Sequence, residues 1–293
     1  MSALVVLRGS GRSGRLAFGR RFSARGRVGF VMVSMVVFVA VFGPLLAPDD
    51  PYKIYGAPYT SPSAGHLLGL DYLGRDALSR FLDGGRSTLL FALAATALGY
   101  AIGLAVGLLA SYYGGWVERI LMRGNDMLLI FPGLIFVLLL VAVYGSNTLL
   151  MIIGVGLANA PRIARVVYTA ALAVVELPYI EYARSGGERI SYIARKELLP
   201  NIFPPIAVDF GIRLSGSILL IAGLSFLGFG LQPPAPDWGL VVSENLTGFS
   251  IQPYCMLAPL AAIALLTVGI NLIIDGWRGA SRASKDRSLA SAR

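Results

Sequence analysis

Uncharged apolar runs long enough to cross a lipid bilayer dominate this sequence. One run covers residues 87–113 and another covers residues 252–274, and neither contains a charged side chain. About 20 residues of α-helix, each adding 1.5 Å, cross the hydrocarbon core of a membrane. The sequence therefore predicts an all-α, polytopic membrane protein.

Six predominantly apolar runs can be delimited along the chain. They cover residues 28–47, 87–113, 127–144, 149–167, 203–229 and 252–274. Composition agrees, because 56% of the residues are hydrophobic and 14% are charged, whereas a soluble domain carries roughly 25% charged residues. We expect six transmembrane helices, with a kink in the third run at Pro132-Gly133.

The polar stretches between these runs predict the domain organisation. We expect a basic N-terminal tail (1–27), a first transmembrane helix with an external loop (28–86), a five-helix core (87–277) that includes a polar segment (171–203), and a basic C-terminal tail (278–293).

The distribution of basic residues predicts the orientation. Most of the 25 Lys and Arg residues lie in the two tails and in 171–203, and cytoplasmic segments of membrane proteins are enriched in both residue types. Both termini and residues 171–203 are therefore expected in the cytoplasm, with 48–86 and 231–251 outside. This placement also explains the net charge of +9, so we expect membrane lipid and no nucleic acid as a partner.

Several kinds of chemistry are excluded by residue usage. Cys255 is the only cysteine and His66 the only histidine, so an intrachain disulfide and a His-rich metal site are both impossible. The sequence has no phosphate-binding Gly-x-x-x-x-Gly-Lys motif, no Gly-x-Ser-x-Gly and no His-Glu-x-x-His. Any ATP that the protein uses must be bound by another chain.

Two patterns within the apolar runs predict contacts between helices. Gly99, Gly103 and Gly107 recur at every fourth residue, as on helices whose backbones approach closely in lipid. Asp209 and Arg213 are spaced i,i+4 near the expected inner end of the fifth run. This spacing favours a structural ion pair on one helix face, with a role in a transport pathway as the alternative.

The polar segment between the fourth and fifth runs contains a recognisable motif. Residues 181–201 read EYARSGGERISYIARKELLPN, and this stretch resembles the cytoplasmic signature of type I ABC importer permeases. Glu181, Ala183, Gly187 and the Leu199-Pro200 pair occupy the matching positions. Tyr182 replaces the usual alanine, and Gly186 stands where the family usually has leucine.

Other stretches resemble the oligopeptide/dipeptide/nickel branch of the same family. They are HLLGLDYLGRD at residues 66–76, YYGGW at 112–116 and LSFLGFG at 224–230. The resemblance extends over nearly all of residues 28–278. It implies the type I ABC importer permease fold and the second of two different permease subunits.

The resemblance implies a function as well. Such a chain moves di- or oligopeptides across the cytoplasmic (inner) membrane by alternating access, with nickel or a nickel chelate as the alternative cargo. Its partners would be a second homologous permease, two ATPase subunits that carry ATP and Mg, and an extracytoplasmic substrate-binding protein. No cofactor, metal or catalytic residue is expected in this chain.

The residues implied in coupling to the ATPases follow from the motif. They are Glu181, Tyr182, Ala183, Arg184, Gly187, Leu199 and Pro200.

Two other classes of membrane protein remain as alternatives to an importer permease. A passive channel would leave this motif without a role, and an intramembrane enzyme would need a nucleophile and a base that Asp209 and Arg213 do not provide.

Overall fold

A computed structural model describes the backbone of residues 24–290 and the side chains of residues 24–277. Within this part of the chain the protein is built from helices, with two isolated β-bridges and no strand. This confirms the all-α class. Residues 1–23 of the expected basic tail lie outside the described residues.

The helices follow one another with short connections except after α1 and α8. They are α1 (Ala24–Leu46), α2 (Ala77–Tyr113), α3 (Gly115–Leu129), α4 (Gly133–Tyr144), α5 (Thr148–Val175), α6 (Pro178–Ser185), α7 (Ile190–Ile193), α8 (Leu199–Phe226), α9 (Trp238–Glu244) and α10 (Tyr254–Ala290). A π-helical turn, Ala194–Leu198, makes α7 and α8 continuous.

Five helical stretches in the described part of the chain are long and apolar enough to cross a membrane. They are α1, α2, α5, the continuous stretch Ile190–Phe226, and α10 as far as Trp277. Five of the six expected spans are thereby confirmed by length and composition.

The third expected span, residues 127–144, is not one helix. Residues 127–129 belong to α3, and α4 begins at Gly133 after a bend of 85°. Pro132 lies at the bend and has no N–H to donate to a preceding turn, which breaks the helix there. Because α4 has 12 residues and is therefore only about 18 Å long, it needs α3 to make a sixth span.

Two helices extend beyond the apolar runs from which they were predicted. α2 begins at Ala77 rather than at residue 87, because the Asp76 carboxylate caps it by accepting a 2.7 Å hydrogen bond from the Ser79 amide. At the other end of the chain, α10 continues to Ala290, so most of the expected C-terminal tail extends this helix.

The bundle is assembled from two helix pairs with α8 between them. α1 packs on α10, α2 packs on α5, and α8 contacts α2, α5 and α10. α9 lies between α8 and α10 in sequence and packs against both of them and against α2. One hydrophobic core joins these elements, with Trp238 of α9 fully buried in it.

The three glycines of α2 lie against α5. A Cβ atom on Gly103 would lie 2.7 Å from the Ile163 side chain and 2.9 Å from the Ala160 carbonyl oxygen. On Gly99 it would lie 3.0 Å from the Gly156 carbonyl, and on Gly107 2.7 Å from the Ala164 carbonyl. The two backbones are too close to admit a side chain at these positions.

We expect Gly103→Ala to destabilise the protein by about 1–3 kcal/mol, the usual cost of overpacking a tight interface. Gly216→Ala is the matched control, because its Cβ would meet nothing within 4 Å on a spanning helix. Alanine there should be neutral or stabilising, since it favours helix more than glycine does. Thermal unfolding in detergent measures both, and equal effects would contradict the packing role.

Candidate functional site: a segment between two spans and a buried ion pair

The helix α6 presents one polar face and one apolar face. Ile180 is fully buried against Ile193 and Leu198, with Ala183 packed at the edge of this cluster. On the opposite face the Tyr182 side chain is 83% exposed. The helix is thus anchored to the chain that follows it and leaves a free surface.

A glycine ends α6 in the manner expected from the motif spacing. Gly187 has φ +77°, and its N–H donates to the Arg184 carbonyl at 3.0 Å while the Glu188 N–H donates to the Ala183 carbonyl at 3.2 Å. This is the hydrogen-bond pattern of a Schellman C-cap. A Cβ on Gly187 would meet nothing within 4 Å, so the backbone angle, and not crowding, calls for glycine.

Two side-chain contacts connect α6 to spanning helices. The Arg184 guanidinium donates to the Tyr112 carbonyl of α2 at 2.7 Å and lies 4.2 Å from the centre of the Tyr112 ring. The Asn201 amide of α8 donates to the Tyr179 hydroxyl at 3.1 Å. Burial, and then the Glu197 carboxylate, raise the pKa of the Tyr179 hydroxyl.

The residues implied by the motif therefore fall into two places. Those from Glu181 to Gly187 lie on α6 and its terminal turn, whereas Leu199 and Pro200 form the first turn of α8. Leu199 packs with Ile202 in a separate apolar cluster. Asn201 bridges the two groups.

Asp209 and Arg213 form an ion pair deep in the bundle. The Arg213 Nε and Nη2 atoms donate to Asp209 Oδ1 at 3.1 and 3.0 Å, and the Tyr100 hydroxyl of α2 donates to Oδ2 at 2.8 Å. Because α8 begins at Leu199 and ends at Phe226, Arg213 lies roughly 20 Å from either end. The pair therefore lies nearer the middle of α8 than the sequence led us to expect.

A second polar group, which the sequence did not single out, lies beside this pair. Thr96 of α2 and Asn159 of α5 each donate to the Ser217 hydroxyl of α8, at 2.8 and 3.0 Å. Spacing in the sequence could have pointed to Ser217, because Asp209, Arg213 and Ser217 recur at every fourth residue and therefore share a face of α8. Hydrogen bonds thus connect α2, α5 and α8 inside the bundle.

A buried charge cluster lies where α2 begins, among residues treated in the sequence only as loop charges. Arg80 is fully buried, and its Nη2 donates to Glu244 Oε2 of α9 at 2.6 Å. Its Nε lies 3.2 Å from Asp71 Oδ2 in an ion pair, and the Arg75 Nε donates a hydrogen bond to the same oxygen at 2.8 Å. The motif at 66–76 therefore joins the loop to α2 and α9.

We expect Arg213→Ala to destabilise the protein by about 3–5 kcal/mol, because it leaves the buried Asp209 carboxylate without its counter-charge. Adding Asp209→Ala should restore part of the loss. The control is Arg162→Ala, because this α5 arginine donates to the Ala158 carbonyl and forms no ion pair within the described part of the chain. Thermal unfolding and folded yield measure these effects. Normal stability with a ligand-selective loss of uptake would place the pair in the pathway instead.

Comparison with known proteins agrees with this architecture. Residues 99–284 match the family described as the binding-protein-dependent transport system inner membrane component. The chain is 38% identical over 252 residues to the glutathione transport system permease protein GsiD of Pectobacterium atrosepticum, covering 85% of this chain and 84% of that protein. The corresponding protein of Escherichia coli O6:K15:H31 is 38% identical over 267 residues, covering 90% and 88%.

A solved structure shares the fold. The inward-facing methionine ABC transporter MetNI matches with a TM-score of 0.52 and 22% identity, over 69% of this chain and 96% of that chain. Permeases of this kind work with ATPase and substrate-binding partners and are not themselves enzymes. This chain belongs to the binding-protein-dependent transport family, as a multi-pass inner-membrane permease subunit of an ABC importer.

Proposed function

We propose that this chain is a permease subunit of an importer for small peptides. The observation that carries the proposal is the 38% identity, over 85–90% of the chain, to permeases of glutathione transport systems. Glutathione is itself a small peptide. Nickel or a nickel chelate is the second candidate, and the resemblance of residues 66–76 and 224–230 to the oligopeptide/dipeptide/nickel branch supports either cargo.

The proposed assembly places the cargo path between this chain and a second, homologous permease. Two ATPase subunits would bind the ATP and Mg, so that this chain holds no cofactor. An extracytoplasmic binding protein would deliver the peptide. Many apolar side chains are exposed on the spanning helices, such as Phe30, Leu90 and Leu219. Their exposure supports the proposal that these surfaces face lipid and another permease.

The helix α6 is the proposed contact with an ATPase. Its exposed face offers Glu181 and Tyr182, while its buried face rests on Ile193 and Leu198. A force on the exposed face would reach α2 through Arg184 and α8 through the Tyr179–Asn201 hydrogen bond. Because α2 and α8 also share the buried polar contacts around Asp209, they would move as connected elements when the transporter changes between outward and inward states.

The ion pair has a structural role in this proposal. Both Arg213 nitrogens that donate, and both Asp209 oxygens, are engaged with partners in the same chain. Because the Tyr100 hydroxyl of α2 donates to the Asp209 carboxylate of α8, the pair helps to specify how these two helices fit together. A direct contact between Arg213 and a peptide carboxylate is the alternative.

The orientation follows from the charge distribution, with both termini and α6 in the cytoplasm and with residues 47–76 and α9 outside. We expect a cysteine at Ser63, in a chain with Cys255→Ala, to react with a membrane-impermeant thiol reagent in intact cells. A cysteine at Ser191 should react only after the cells are opened. Both serines are exposed and Cys255 is buried, so access alone decides labelling. The reverse pattern would overturn the orientation.

Coupling is tested at the glycine that ends α6. We expect Gly187→Val to reduce ATP-dependent uptake of a labelled small peptide at least tenfold, and to weaken co-purification with the ATPases. A left-handed backbone costs a residue other than glycine roughly 1–2 kcal/mol, and about 1.4 kcal/mol corresponds to a tenfold change. Gly187→Asn should be milder, because asparagine tolerates this conformation better than a β-branched residue does.

Gly186→Leu is the neighbouring control. Gly186 lies in the right-handed region with φ −72°, and the nearest atom to its Cβ is at 3.4 Å, so leucine should be tolerated. Normal assembly and uptake in Gly187→Val would remove the coupling role from α6. The uptake assay with the unaltered chain also distinguishes the other candidate functions. Uptake of nickel and not of peptide would favour the second cargo, and uptake without ATP would indicate a channel.

A further inference from the structure

Three side chains from separate parts of the loop region converge on one point. They are Asp49, which follows α1, His66 in the α1–α2 loop, and Asp76, the N-cap of α2. The His66 Nδ1 atom lies 3.0 Å from Asp76 Oδ1 and 3.5 Å from Asp49 Oδ2. One nitrogen and two carboxylate oxygens all lie within 4.8 Å of one another.

The two carboxylates of this cluster have few hydrogen-bond donors within the chain. A neutral imidazole has one N–H, and here a single ring nitrogen faces both carboxylates. Within the described residues, neither carboxylate forms an ion pair with a lysine or arginine, and the nearby Arg75 and Arg80 are engaged by Asp71 and Glu244. Two negative charges therefore face one nitrogen, an arrangement that a cation would stabilise.

The two distances from His66 Nδ1 are close to those between ligands of one metal ion. Ligand atoms of a tetrahedral site with bonds of about 2.0 Å lie about 3.3 Å apart, and the two distances from His66 Nδ1 lie on either side of this value. Imidazole together with carboxylate favours a divalent transition metal over Mg²⁺. The Asp49 and His66 side chains are 26% and 23% exposed, so an ion can enter and water can complete its coordination.

The buried Ser79 contacts both acidic residues, through the carboxylate of Asp76 and the backbone of Asp49. The Ser79 N–H donates to Asp76 Oδ2 at 2.7 Å, which leaves Oδ1 directed at His66, and the Ser79 hydroxyl accepts from the Asp49 N–H at 3.1 Å. The Tyr55 ring packs 5.2 Å from the His66 ring. Such outer contacts orient ligands before a metal arrives.

We propose that Asp49, His66 and Asp76 bind a divalent transition metal such as Zn²⁺, with His66 Nδ1 and one oxygen of each carboxylate as ligands. The metal would tie the end of α1 to the beginning of α2 through the loop that separates them. This site differs from the His-rich type that the single histidine excludes, because two of its three ligands are carboxylates. The proposal does not depend on which cargo the importer carries.

The test uses the full-length chain, purified in detergent with an affinity tag that contains no histidine and then stripped of metal by a chelator. We expect equilibrium dialysis to show one Zn²⁺ bound per chain, and Zn²⁺ but not Mg²⁺ to raise the midpoint of thermal unfolding. Co²⁺ at the same site should give the visible absorption of a tetrahedral complex. His66→Gln and Asp49→Asn should each weaken Zn²⁺ binding at least about tenfold.

Asp50→Asn is the matched control, since Asp50 adjoins Asp49 but its Oδ1 accepts from the Tyr52 N–H. It should bind Zn²⁺ as the unaltered chain does. Failure of the unaltered chain to bind Zn²⁺ would overturn the proposal, as would unchanged binding in His66→Gln. If His66→Gln does not fold, Asp49→Asn decides, and an equal loss in Asp49→Asn and Asp50→Asn would also overturn the site.

Discussion

The close approach of α2 and α5 is the contact on which the rest of the bundle depends. Lipid offers helices no hydrophobic reason to associate, so packing and hydrogen bonds must hold them together. The glycines of α2 bring its backbone so close to α5 that no side chain fits between them, and Gly156 of α5 lies equally close to α2. The pair makes the surface on which α8 can place its polar face.

Polar groups inside the bundle lie where a neighbouring helix offers them a hydrogen-bond partner. Tyr100 and Thr96 of α2 meet Asp209 and Ser217 of α8, so that a charge in the middle of a span has a hydrogen-bonded partner on a second helix. At the beginning of α2, the buried Arg80 likewise has charged partners outside its own helix, namely Asp71 and Glu244. An ion pair left unsatisfied at either place would cost several kcal/mol, and both therefore restrict how the helices can be arranged.

The contacts of the short helix α6 explain how it could act on the whole bundle. α6 contacts α2 through Arg184 and α8 through Tyr179, and these two helices share the buried contacts around Asp209. These contacts give a displacement of α6 a path into α2 and α8. In a permease driven by ATPases bound at α6, this path would carry the motion.

The sequence by itself determined the all-α class, five of the spans, the family motif and the spacing that pairs Asp209 with Arg213, because apolar run length and helical periodicity are local properties. The sequence also predicted the bend at Pro132-Gly133, but it missed the beginning of α2, which the Asp76 cap decides. The partners of Arg80, Ser217 and His66 lie far away in the chain and come together only when the helices pack. Only the tertiary structure could therefore show that Glu244 neutralises Arg80 and that Asp49 and Asp76 meet at His66, since such contacts depend on distance in space and leave no periodic trace.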